Sequence, residues 1–138
     1  MTKMNRRFGI MKGENTPKIN MNWKTITEAN TLDIIESNSF DHPILIYKHS
    51  TRCNVSSMAL NRLERSWNND EMQHVEIYFL DLIADRNISN LIAEKFGVWH
   101  ESPQVLVINS GTCSYNTSHM GISYGEIKKI LGNSEVAN

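Results

Sequence analysis

Cys53 is followed by Asn54, Val55 and Ser56, so the chain carries a C-x-x-S tetrapeptide. That is the spacing of a dithiol redox pair with the second sulfur replaced by oxygen. Thiol chemistry needs the thiolate, and the start of a helix favours it, because the first turn offers unpaired N–H groups and the positive end of the helix dipole. Lys48, His49 and Arg52 stand just upstream and can add positive potential. A serine hydroxyl at position 56 can donate a hydrogen bond to a thiolate but cannot attack a disulfide. Exchange chemistry built on Cys53 therefore stops at a mixed disulfide unless a second thiol comes from outside or from elsewhere in the chain. The bland alternative is an inert buried cysteine, the common fate of a lone thiol. Against it stands the placement of Cys53 between an apolar run and a helical pattern, among basic and hydroxyl residues.

Two further segments belong with this thiol. Glu101, Ser102, Pro103 and Gln104 precede an apolar run, and a proline at such a point is a candidate for a cis peptide. A cis turn there would leave the backbone of Ser102 free to meet a substrate beside the sulfur. The alternative is an ordinary trans proline opening a strand, where it costs no ladder bond. The segment Thr117, Ser118, His119, Met120, Gly121 precedes the last helical pattern, and a helix start there can hold a carboxylate. His119 taken alone is a surface polar group; in this company it becomes a ligand contact. The second cysteine, Cys113, falls in a strand pattern. Sulfurs bond only when their Cα atoms come within about 7 Å, so Cys113 is read as a packed strand residue rather than a resolving thiol. His74 and His100 have no partners at ligand spacing, and no metal is expected.

The elements that must position these groups can be read from periodicity and caps. Thr25 and Glu28 have capping-box spacing ahead of a helix using Ala29, Leu32 and Ile35. Pro43 to Tyr47 is a short buried-strand run, and Cys53 to Asn68 a long helix with Val55, Ala59, Leu63 and Trp67 on one face. Val75 to Leu82 reads as a strand, and Ile88 to Phe96 as a helix stopped by Gly97. Val105 to Ile108 and Cys113 to Asn116 form strands around a turn at Asn109 to Thr112. A last helix starts at Ser123, with Glu126 completing a second capping box. Trp23, Trp67, Tyr78, Phe79 and Phe96 are assigned to the core, while Trp99 borders the thiol. The order α-β-α-β-α-β-β-α implies an α/β fold, a mixed four-stranded sheet with helices on both faces. A thioredoxin-like fold is the simplest one with that order.

The chain of 138 residues suits one domain with its own core. Its two cysteines exclude a disulfide scaffold. A net charge of −1 gives no electrostatic reason to expect nucleic acid or an anionic membrane. No apolar run approaches the roughly 20 residues that span a bilayer. The charge is uneven, however: residues 1–20 carry a net +4 and the remainder −5. Residues 1–20 lack the apolar core of a secretory signal and read as a flexible basic extension, with Met4, Met11 and Met21 as alternative starts. Residues 21–138 read as the domain.

The run K-H-S-T-R-C-N-V-S-S-M-A-L over Lys48–Leu60, then Ser102, Pro103 and Gln104, then Ser118 and His119, resembles the bacillithiol-system redox proteins (YtxJ-like, monothiol bacilliredoxins) over about residues 21–132. The resemblance implies a thioredoxin fold and a cytoplasmic bacterial protein. It also implies thiol–disulfide exchange with client proteins carrying bacillithiol, a thiol built from cysteine, glucosamine and malate. Bacillithiol would be a co-substrate, with no tightly bound cofactor. Cys53 would be the attacking thiol, Ser56 would occupy the resolving position, Pro103 would be the cis-proline, and Ser102 would lie beside the sulfur. Lys48, Arg52, His119 and Ser123 are assigned on electrostatic grounds to the malate carboxylates. The family usually has proline directly after the cysteine, and Asn54 departs from it. Proline suits the first helical position; asparagine supplies an additional N–H near the sulfur but loosens the turn. The rival readings are a thioredoxin-like binding module without turnover, and glutaredoxin-like use of another small thiol.

Overall fold

The computed structural model describes residues 21–136, so the expected extension over residues 1–20 lies outside the described residues. In chain order the elements are β1 (Lys24–Thr25), α1 (Thr31–Asn38), β2 (Ile44–His49), α2 (Asn54–Ser66), β3 (Glu76–Asp81), α3 (Arg86–Phe96), β4 (Gln104–Asn109), β5 (Thr112–Ser118), a short 3-10 turn (His119–Gly121) and α4 (Tyr124–Val136). The sheet order is β1-β3-β2-β4-β5. β1 and β2 run parallel to β3, β4 is antiparallel to β2, and β5 is antiparallel to β4. The fold class is the expected one, with one strand more.

That extra strand corrects the reading of Thr25 as a helix cap. Thr25 pairs with Phe79 at the sheet edge, and the Ile26 N–H donates to the Phe79 carbonyl at 2.9 Å. Ile26 is fully buried, so the sheet holds the segment that capping chemistry would have given to a helix. α1 starts later, behind Asn30, without a side-chain cap.

Alternation along β2 divides the interior in two. Ile44 and Ile46 face α1 and α3, packing with Leu32, Ile35, Ile88, Ile92 and Phe96. Leu45 and Tyr47 face α2 and α4, packing with Ala59, Leu63, Ile127 and Leu131. The buried stripe of α2 is Ser56, Ala59 and Leu63, whereas Val55, expected on that face, is exposed. A polar residue thus takes the core position at the head of the helix.

Gly97 stops α3 in the left-handed region at φ 66°, a conformation glycine adopts without steric cost. The β4–β5 turn also needs positive φ, at Ser110 (53°) and Gly111 (82°), as a tight two-residue hairpin does. At the last helix the expected cap is present: the Glu126 N–H donates to Ser123 Oγ at 3.3 Å.

Candidate functional site

Three loops meet at one edge of the sheet because of strand register. Lys48, near the end of β2, pairs with Gln104, the first residue of β4, and Gln104 pairs with Ser118, the last of β5. The segments leaving or entering at that edge carry Cys53, Pro103 and His119. The His119 N–H donates to the Pro103 carbonyl at 3.1 Å, tying the second loop to the third. The Ser102–Pro103 bond is cis.

Cys53 is the residue before α2, in extended backbone (φ −115°, ψ 118°), and its side chain caps no backbone N–H. It is half-buried and unpaired. Arg52 and Asn54 flank it, both exposed. The loop is drawn tight by the Cys53 N–H donating to the Ser50 carbonyl at 3.2 Å. A half-buried thiol at the head of α2, beside a guanidinium-bearing residue, has the setting in which cysteines act as nucleophiles.

Ser56 sits three residues on and is fully buried. Its hydroxyl is not spare. The Ser50 N–H donates to Ser56 Oγ at 3.0 Å, and His49 Nδ1 lies 2.7 Å from the same oxygen. The Tyr47 hydroxyl donates to the Ser56 carbonyl at 3.0 Å. The resolving position of a dithiol motif is therefore filled by a hydroxyl directed at an imidazole.

His49 differs from the sequence reading in a second respect. Burial pushes its imidazole below the ordinary histidine range, against the opposing pull of Asp81 and Glu64. At neutral pH it contributes a polar partner rather than positive charge.

Lys48 requires a correction. Assigned to carboxylate contacts, it is fully buried, because alternation points it to the α1/α3 side while its neighbour His49 faces α2. Its ammonium donates to the Ser89 carbonyl at 3.2 Å, with His100 Nδ1 at 3.4 Å. Ser89 Oγ is in turn 3.1 Å from His100 Nδ1. Burial lowers the Lys48 amine to about 8. Gln104, also buried, donates from its amide to the Trp99 carbonyl at 2.9 Å and accepts the Glu101 N–H at 3.4 Å. Lys48, Ser89, His100 and Gln104 thus brace the cis-proline loop from behind. Sequence reading gave none of the four this role; a lysine in an otherwise apolar strand was the available signal.

The remaining candidates are spread along the edge. Ser102 Oγ is buried without a hydrogen-bond partner among the described residues. His119, half-exposed, has Nε2 3.5 Å from Glu101 Oε1, so an incoming anion meets a carboxylate there as well. The Ser123 hydroxyl is engaged in capping α4, and its neighbour Ile122 accepts from Arg62 at 3.2 Å, more than two turns along α2 from Cys53. Trp99, at 90% exposure, stands out from the loop before Pro103. Cys113 lies at the far end of the hairpin, paired with Ile108. Its thiol donates to the Tyr115 carbonyl at 3.3 Å. Among the described residues no cluster of histidine, cysteine and carboxylate side chains could hold a metal ion.

The sequence profile of the monothiol bacilliredoxin BrxC family matches residues 24–127, which takes in every loop of this edge. The chain belongs to the monothiol bacilliredoxin family. Solved structures agree on the fold. One is a protein assigned as an oxidoreductase with a thioredoxin fold, 25% identical over 76% of this chain and 89% of that one, at a TM-score of 0.62. Malassezia sympodialis thioredoxin is 12% identical over 88% and 97%, at 0.64. Fasciola hepatica thioredoxin is 14% identical over 80% and 97%, at 0.60. The bacilliredoxin family and the fold together make this a monothiol redox protein, and Cys53 is the cysteine at the start of α2. No helix among the described residues is long and apolar enough to cross a membrane.

Proposed function

We propose that the protein removes bacillithiol from mixed disulfides on client proteins. The Cys53 thiolate attacks the bacillithiol sulfur of the mixed disulfide. The client sulfur leaves with the electron pair of the broken bond and takes a proton from water. Cys53 then carries bacillithiol as its own mixed disulfide. With Ser56 unable to displace it, a second bacillithiol thiolate attacks that adduct, freeing Cys53 and leaving as bacillithiol disulfide. The electrons that reduce the client come from the second bacillithiol thiolate, which ends as half of the bacillithiol disulfide.

The observation that carries this reading is the pairing of a half-buried, unpaired Cys53 at the head of α2 with a buried hydroxyl at the resolving position. Membership of the monothiol bacilliredoxin family supplies the thiol. Arg52 and His119 are the candidates for contact with the malate carboxylates. Lys48 is withdrawn from that role, and the Ser123 hydroxyl is engaged as the cap of α4. The reaction suits a reducing compartment, the cytoplasm.

The test is to incubate the protein with a bacillithiolated client and follow client thiol release. Wild type is expected to release bacillithiol and gain its mass on Cys53, whereas Cys53→Ala does neither. Equal release by Cys53→Ala overturns the assignment. Running glutathionylated client in parallel identifies the small thiol by the adduct mass.

A further inference from the structure

The His49–Ser56 contact has a chemical consequence for Cys53. A serine hydroxyl has one proton and two lone pairs. One lone pair of Ser56 is taken by the Ser50 N–H at 3.0 Å. The bond to His49 Nδ1, at 2.7 Å, then decides where the hydroxyl proton points. When Nδ1 bears no proton, Ser56 donates to it. When the imidazole is charged, Nδ1–H donates to Ser56 and the hydroxyl proton is turned elsewhere. Ser56 is the third residue of α2 and Cys53 the residue before its first. Side chains at these two positions share the first turn of a helix, the relation on which capping boxes depend.

We propose that His49 is a positioning residue for the Cys53 thiol, acting through the Ser56 hydroxyl, so that the protonation of His49 and the reactivity of Cys53 are coupled. Uncharged His49 with Nδ1 free of its proton accepts the Ser56 O–H, which is then unavailable to the sulfur. Charged His49 releases that proton toward the thiolate, whose nucleophilicity falls as it accepts the bond. The proposal deepens the thiol-exchange reading and rests on it only for Cys53 as the reacting sulfur.

The surroundings of His49 suit a group that titrates. Only 7% of the residue is exposed. Asp81 is its register partner on β3, and Glu64 of α2 acts on it as well. Tyr47 of its own strand and Phe79 of β3 wall the ring, with centroids 6.2 and 5.4 Å away. The two carboxylates favour the charged form while burial opposes it, leaving the balance below the ordinary histidine range.

The experiment is the pH profile of Cys53 alkylation by iodoacetamide, with His49 followed by NMR titration. In wild type the profile is expected to show a second inflection on the acid side of neutrality, coincident with the His49 titration. His49→Asn, whose amide can keep the contact to Ser56 without titrating, is expected to lose that inflection, and Ser56→Ala to lose it while His49 still titrates. A single inflection in wild type overturns the proposal. Retention of the second one in Ser56→Ala overturns the route through the hydroxyl. Should His49→Asn fail to fold, Cys53→Ala supplies the reciprocal reading: the His49 midpoint must move by about half a unit or more when the thiol is removed, and an unmoved midpoint overturns the coupling. Alkylation needs no bacillithiol, so failure of client reduction leaves this result standing, and the converse holds.

Discussion

The two cysteines differ by environment rather than by chemistry. Cys53 is half-buried at a helix start. Cys113 has its thiol hydrogen donated to a carbonyl, and burial pushes that thiol up. Iodoacetamide at neutral pH is therefore expected to place a single label, on Cys53, in the native protein and two labels in denaturant. Peptide mass mapping checks this, and native labelling of Cys113 would contradict it. Asn54 offers a second prediction at this scale. A residue preceding proline must be extended, and Cys53 already is, at φ −115° and ψ 118°. Asn54→Pro should therefore fit the first turn of α2 and raise stability by about 0.4–1 kcal/mol, mainly by restricting the unfolded chain. The readout is a higher urea midpoint at unchanged slope; a lower midpoint would show that the Asn54 N–H matters more than chain entropy.

Among the elements, β2 carries most of the argument. It gives Ile44 and Ile46 to one core and Leu45 and Tyr47 to the other, and at its end it sends Lys48 and His49 to opposite faces. The folded Lys48 amine is lowered to about 8 from 10.5. Below pH 8 both states carry the charge and the folded protein bears the full desolvation cost. Between 8 and 10.5 the unfolded chain binds more protons, so stability rises with pH. Lys48→Met should be more stable at pH 7, and the wild-type gain of about 2 kcal/mol between pH 7 and 9.5 should be absent from it. Urea titrations at the two pH values measure the difference; parallel behaviour of the two proteins would refute the assignment. Strand alternation was available in the sequence and would have separated Lys48 from His49, but proximity to Cys53 along the chain masked it. The helices were legible through their apolar spacing and the stop at Gly97. β1 was not, because two residues have no periodicity, and only pairing with Tyr78 and Phe79 defines them.

At the scale of the molecule, both cores share the strands β2, β3 and β4, and unfolding should be a single transition. Leu45→Ala and Ile46→Ala each remove a fully buried side chain from a different face and should each cost about 2–5 kcal/mol. Far-UV dichroism and tryptophan fluorescence should report coincident urea curves in both variants; separated curves would mean that the two faces unfold independently. The sequence by itself determined the α/β order, the C-x-x-S thiol at a strand-to-helix junction, and the family, because these depend on local spacing and residue type. Only the tertiary structure decided which neighbours of Cys53 share its environment. Register brings Pro103 and His119 to the edge where Cys53 lies, across long stretches of chain. Alternation removes Lys48 to the opposite face, and burial turns His49 from a charge beside the thiol into a hydrogen-bond partner of Ser56. These are consequences of pairing and desolvation, which arise between segments and are written in none of them alone.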